Sequence, residues 1–188
     1  MKKFIIIFTA VWCIAVQDSL AQRYLPGQRG LQLTAGAVNG FNPRKGFHTG
    51  MAIATYTRYA NRYVIGFEYL EKRHPYKNIR IPQSQFTVDA GYYLKFLSDV
   101  RKTFFVSAGV SAIAGYETVN WNEKLLPDGA TVNNSDTFLY GGAFTLELET
   151  YLTDRLVLLA NVRERFLPSS SIGKLNTQFG LGLRFMIN

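Results

Sequence analysis

The chain holds a single cysteine, only two histidines, and no long apolar run beyond its N-terminal stretch. Each shortage excludes something. Cys13 lies inside the N-terminal stretch, so once that stretch is removed no disulfide can staple the fold, and no thiolate is left for a zinc or redox site. His48 and His74 are isolated from one another, which leaves no His/Cys spacing of the kind that binds a metal. A membrane-crossing helix needs roughly 20 consecutive apolar residues, and no segment after Val16 supplies them. Acidic residues are also scarce, 13 against 21 lysines and arginines, giving a formal charge of +8.

The N-terminus reads as an export signal. Lys2 and Lys3 precede the 13-residue apolar run Phe4–Val16, and Ser19-Leu20-Ala21 is a small-x-small cleavage pattern before Gln22. The run is too short to anchor as a helix. Bulky Trp12 precedes Cys13, where lipoprotein processing wants a small side chain, so a lipid-anchored product is not expected. Cutting after Ala21 leaves 167 residues, 22–188, enough for one domain. Loss of Lys2, Lys3 and Asp18 brings the charge to +7. A basic exported protein is suited to nucleic acid, acidic polysaccharide or an anionic lipid surface, although solvated or internally paired cations account for the same excess.

What the remainder does have is period-two alternation. From Ile81 to Leu97, Phe86, Val88, Ala90, Tyr92, Leu94 and Phe96 share one parity, against Gln85, Thr87, Asp89, Gly91, Tyr93 and Lys95 on the other. Successive strand side chains point to opposite faces, so this segment has one apolar face and one polar face. Seven further segments carry the pattern: about Gly30–Val38, Thr49–Arg58, Arg62–Lys72, Thr103–Glu117, Thr137–Leu152, Arg155–Phe166 and Thr177–Ile187. Repeated behind an export signal over lengths near the roughly 9–11 residues of a tilted membrane strand, the pattern predicts an all-β, eight-stranded antiparallel up-and-down transmembrane β-barrel. A soluble sandwich would concentrate aromatics at strand centres, and a lipocalin-like cup would turn its apolar face inward.

The connections support the barrel. Stretches 39–47, 73–82, 118–136 and 167–176 are long, while those near 59–61, 97–102 and 153–154 are short. Such alternation is expected of a barrel with long extracellular loops, short periplasmic turns and both termini in the periplasm of an outer membrane. Aromatics gather at the two ends: Tyr56, Tyr59, Tyr63, Tyr92, Phe96, Phe104, Tyr151 and Phe185 near the short turns, and Tyr69, Phe86, Tyr116, Phe138, Tyr140 and Phe166 near the long loops. That distribution predicts two interfacial girdles against outer-membrane lipid.

The polar parity collects Gln32, Glu68, Asp89, Lys95, Glu117, Glu147, Glu149, Arg163, Arg165, Gln178 and Arg184 in the lumen. Eight strands enclose just enough space for their own side chains, so these groups are expected to pair and fill it. Glu147 and Glu149 share a face, yet with arginines around them structural pairing is preferred over acid–base catalysis. Neither His48 nor His74 has a serine at same-face spacing, and Ser169, Ser170 and Ser171 lack a nearby acid. All read as solvent-exposed loop residues. Gly180-Leu-Gly182 lies in a strand with no following helix, so it reads as lumen packing and not a nucleotide loop. No catalytic, metal or cofactor site is expected, and no small-molecule substrate. The basic stretch Lys72, Arg73, His74, Lys77 and Arg80 suits lipopolysaccharide or DNA, with a solvated loop as the plainer account. The third long loop, 118–136, carries Trp121, Leu125 and Leu126 beside the turn signal Pro127-Asp128-Gly129 and is the candidate partner-contact surface.

The segments Gln22–Thr34, Phe47-His-Thr-Gly, Ile81–Thr87, Gly115–Asn122, Leu125-Leu-Pro-Asp-Gly and Tyr151-Leu-Thr-Asp-Arg resemble the TraO family of conjugative-transposon transfer proteins. The likeness covers essentially the whole exported chain, and Asn120–Gly129 is its most specific part. It implies conjugal DNA transfer between Bacteroides-type cells, with the chain as an envelope component alongside other transfer-apparatus subunits and without sequence-specific binding of nucleic acid. It brings no catalytic or binding residues. A small barrel for envelope integrity or adhesion, and an outer-membrane lipid-modifying enzyme, are the alternatives.

Overall fold

Alternation is realised in eight strands: β1 (Arg29–Val38), β2 (Gly46–Tyr56), β3 (Arg62–Tyr76), β4 (Ile79–Ser98), β5 (Phe104–Val119), β6 (Thr137–Tyr151), β7 (Leu156–Phe166) and β8 (Leu175–Met186). A computed structural model describes residues 24–76, 79–100, 102–120, 136–170 and 173–187. Residues 1–23, Lys77, Ser171 and the stretch with Trp121, Leu125 and Leu126 lie outside the described residues, as do the side chains of His74 and Arg80. Each strand pairs antiparallel with the next, and β8 pairs back onto β1 from Gly30↔Met186 to Val38↔Gln178. Closure leaves no unpaired edge, which is what a sheet surrounded by lipid requires.

The two faces divide by parity. Met51, Ile53, Ile65, Val88, Val110, Leu146 and Leu181 point outward and are exposed, forming an apolar belt. Tyr63, Phe96, Phe104 and Phe185 are exposed toward the short-turn end, and Tyr116, Phe138, Tyr140 and Phe166 toward the long-loop end. Tyr63 and Tyr92, directly opposite across β3 and β4, hold their ring centroids 4.7 Å apart.

The interior is layered. At the short-turn end Tyr56, Val64, Tyr93, Phe105, Tyr151, Val157, Leu159 and Met186 form an apolar cluster, and at the long-loop end Ile113, Leu139, Ala143 and Leu167 form a smaller one. Charged side chains fill the middle. Gly109 on β5 makes room for this packing, because a Cβ there would stand 2.5 Å from the ring of Tyr93, its cross-strand partner.

Three expectations need correction. Tyr56 and Tyr151 belong to the interior, at 1% and 3% exposure, and not to a girdle, because they share parity with His48 and Glu149 respectively. His48 is not a loop residue: β2 begins at Gly46, and its side chain points into the barrel and is 3% exposed. The second connection is not long. β3 and β4 continue their pairing to Tyr76↔Ile79, taking in Pro75 and Pro82, so only residues 77 and 78 lie between them. At 20 residues β4 is about twice the length that crossing requires, and this hairpin projects beyond the belt.

Candidate functional site

The lumen is the most elaborated part of the molecule, built by the inward parity of all eight strands. Near the short-turn end Arg62 (β3) and Arg184 (β8) face Glu147 and Glu149 (β6). Arg62 Nη2 reaches Glu147 Oε1 at 2.6 Å and its Nη1 meets Glu149 Oε1. Arg184 mirrors it, with Nη2 at 2.7 Å from Glu147 Oε1 and Nη1 at 3.0 Å from Glu149 Oε2. Two cations and two anions thus form a closed square. The terminal guanidinium nitrogens make further bonds: Arg184 donates to the Tyr56 hydroxyl at 2.5 Å and to Gln32 Oε1 at 2.7 Å, and Arg62 to Ser107 Oγ at 3.1 Å, while the Nε donor of each arginine is buried without a partner among the described residues. The Arg62 guanidinium also lies 4.7 Å from the Tyr93 ring centroid.

A second balanced set lies toward the long loops. Arg163 (β7) pairs with Asp89 at 2.9 Å and Glu68 at 3.5 Å, and Arg165 with Glu68 at 2.9 Å. Gln178 donates to Glu68 at 2.7 Å, and Arg165 to Thr87 Oγ1 at 3.2 Å. Both sets are neutral overall. Charges this deep are tolerated only when paired and hydrogen-bonded, so cross-lumen neutrality is what allows the strands to close around them.

Glu117 stands above these, accepting from Gln83 at 2.8 Å, Gln85 at 2.7 Å and Ser170 Oγ at 2.8 Å. Ser170 draws the connection between β7 and β8 across the lumen, and Ser169 Oγ accepts from the Tyr140 backbone N–H at 3.3 Å. Lys95 stands apart from the charged sets. It has the inward parity read from the sequence, but it lies next to a β-bulge between Lys95 and Leu97, half-buried at the short-turn mouth, and pairs with none of the described carboxylates.

Sequence reasoning passed over Arg62 and Tyr24 and misplaced His48 in a loop. Arg62 shares parity with Glu68 and was legible by that rule. Tyr24 precedes β1 and carries no periodic signal. It folds into the short-turn mouth, stacked on Tyr56 with ring centroids 4.0 Å apart, edge-on to Phe105 at 5.0 Å, and donating to Glu149 Oε2. Burial, reinforced by the Glu149 carboxylate, holds its phenol well above the ordinary tyrosine value, so it remains a donor. His48 occupies the gap beside Gly36, where a Cβ would come within 2.7 Å of its Cε1. His48 Nδ1 has no hydrogen-bond partner among the described residues, and the imidazole lines a cavity of about 40 Å³ beside Glu68 and Arg163.

The expectation that Ser170 is an exposed serine without a nearby acid is corrected: it is half-buried, and its hydroxyl donates to Glu117 because the connection between β7 and β8 folds in over the lumen. Among the described residues no group of three His, Cys, Asp or Glu side chains is placed to hold a metal ion.

Known structures share the architecture. Ail of Yersinia pestis, in complex with the heparin analogue sucrose octasulfate, aligns with a TM-score of 0.58 at 9% identity, covering 87% of this chain and 100% of its own. Neisserial surface protein A aligns at 0.54 and 14% identity, covering 84% and 94%. The N-terminal β-barrel domain of Pseudomonas aeruginosa OprF aligns at 0.52 and 11%, covering 86% and 98%. At such identities the likeness is one of fold. No curated protein matches the sequence. The family model for conjugative transposon protein TraO matches residues 25–187, nearly the whole chain, and this eight-stranded barrel therefore belongs to the TraO family.

Proposed function

We infer that the chain is exported by a leader ending at Ala21, inserts into the outer membrane with both termini periplasmic and its longer loops extracellular, and serves conjugative transfer as a scaffold or surface-contact subunit. Family membership supports the link to transfer. The observation that carries the structural role is the filled lumen: Arg62, Arg165 and Arg184 lie fully buried across it, locked to carboxylates from other strands. A barrel closed in this way has no path for a DNA strand, so its contribution lies on its surfaces. The exposed apolar belt favours outer-membrane lipid as its surroundings, and the connection between β5 and β6, with Trp121, Leu125 and Leu126, is the proposed contact with other transfer subunits. Deleting the gene in a donor strain should lower mating frequency while leaving outer-membrane permeability near that of the parent. Unchanged mating with a leaky envelope would favour a role in envelope integrity instead.

One observation favours adhesion as a second reading. Arg44, Lys45 and Arg73 are exposed together at the long-loop end, where the Arg73 backbone N–H donates to Lys45 O at 3.0 Å, and Ail, of like fold, was solved with a heparin analogue. Binding of deletion and parent cells to immobilised heparin separates the two readings. The third, lipid modification, is tested by comparing lipid A between the same strains.

A further inference from the structure

The short-turn mouth holds a cavity of about 510 Å³, lined by Arg58, Lys95 and Lys102 above a floor of Tyr24 and Phe105. That volume is within the range of roughly 300–1,000 Å³ typical of ligand sites. Its three cations come from three places in the chain: the 3₁₀ turn between β2 and β3, the end of β4, and the β4–β5 turn. None of them is paired with a described carboxylate. The nearest acid in sequence, Asp99, is engaged elsewhere, accepting from the backbone N–H groups of Thr103 at 2.6 Å and Phe104 at 2.9 Å. The contrast with the lumen is sharp, since there the arginines are balanced by carboxylates.

The backbone around the mouth is also held in an unfavourable form. Of the five described non-glycine residues with positive φ, three line this cavity: Tyr59 (64°), Ala60 (63°) and Lys102 (53°). The left-handed region is unfavourable for a residue with a Cβ, and it persists where the surroundings impose it. Here Thr57 clamps the turn, its N–H reaching Asn61 O at 2.7 Å, and Asn61 Oδ1 accepts from the Lys95 N–H at 3.0 Å. The cations are therefore presented by a braced rim.

We propose that this mouth is a docking site for an acidic peptide segment of a periplasmic protein. Charge complementarity selects carboxylates, the aromatic floor of Tyr24 and Phe105 offers apolar surface to the intervening methylenes, and the volume takes several residues, more than one small anion would fill. Its floor belongs to the barrel interior and not to the lipid-facing belt, since Phe105 is 4% exposed and Tyr24 stacks on the interior Tyr56. Tyr24, bonded to Glu149, seals it from the ionic lumen, so the segment docks and does not pass through. The periplasmic location of the partner rests on the orientation proposed above; the docking chemistry does not.

The test is fluorescence anisotropy of fluorescein-labelled hexaglutamate titrated into the mature chain in detergent micelles. Binding is expected, weakening as salt is added. The triple variant R58E/K95E/K102E should lose at least tenfold in affinity while keeping the heat-dependent gel shift of a folded barrel, and K102E alone, in a turn, should lose less. R44E/K45E, at the opposite end, should bind as the parent does. Absence of binding, equal binding by the triple variant, equal binding of labelled hexalysine, or complete displacement by millimolar inorganic phosphate would overturn the assignment. Because the assay involves neither orientation nor mating, its failure leaves the role in transfer standing.

Discussion

Arg62 and Arg184 donate to the same oxygen, Glu147 Oε1, at 2.6 and 2.7 Å. One comes from the start of β3 and the other from the end of β8, and the carboxylate holding them is on β6. Opposite walls of the barrel are therefore tied through a single acid, and the charge balance of the square is part of closure.

Removing one corner should be costly. Arg184→Leu leaves Glu147 and Glu149 with one cation between them, and loss of one partner from a buried pair costs roughly 3–5 kcal/mol. Urea unfolding of the refolded barrel should show a drop of about that size. Adding Glu147→Gln to the same chain should recover part of it, since the uncompensated charge is then gone. A double variant less stable than Arg184→Leu would contradict neutrality as the reason for the square.

The outward parity makes a different prediction. Leu146 and Leu181 are 44% and 66% exposed on the apolar belt. Arginine at either position should cost roughly 2–4 kcal/mol near a bilayer midplane. The same exchange on a soluble barrel would be nearly neutral, so refolding yield into lipid vesicles distinguishes the two environments.

The lumen and belt were largely legible because strand parity is a local property: Glu68, Asp89, Glu147, Glu149, Arg163, Arg165 and Arg184 all point inward by alternation alone. Where reading stopped short, the cause was at the strand ends. Tyr56 and Tyr151 are terminal aromatics, the composition of a girdle, and only extending parity to the last residue turns them inward. Pro75 and Pro82 resemble turn signals, yet both lie within the paired β3–β4 extension. The partnership of Arg184 with Glu147 was not legible at all, because it depends on how the closed barrel sets β8 across from β6. Tyr24 gave no signal because a single aromatic before the first strand has no period.

Tyr24 links the mouth to pH. Its phenol is held protonated above the ordinary value by burial and by Glu149, so the folded state binds this proton more tightly than the unfolded one. The stability it contributes is therefore present below about pH 10, the unfolded tyrosine value, and is lost as pH rises past it. Tyr24→Phe keeps the stack on Tyr56 and removes the titration, so its stability should fall less steeply between about pH 10 and 11. Parallel stability curves for the two chains would exclude Tyr24 as a contributor.

The connection between β5 and β6 supplies the genetic test. Replacing Trp121, Leu125 and Leu126 with serine leaves β1 to β8 unaltered, so barrel assembly and surface display should be normal while mating frequency drops. Normal transfer with normal display would remove this loop as the contact surface.

The most direct measurement of the central claim, a closed barrel in the outer membrane, is gel mobility of the protein taken from fractionated envelopes, with and without boiling in SDS. Closure satisfies every strand's hydrogen bonds within the sheet and leaves no edge for detergent to open. The account predicts that the protein partitions with outer membranes and shifts its mobility only after boiling. Identical mobility in both samples, together with a soluble periplasmic location, would contradict it.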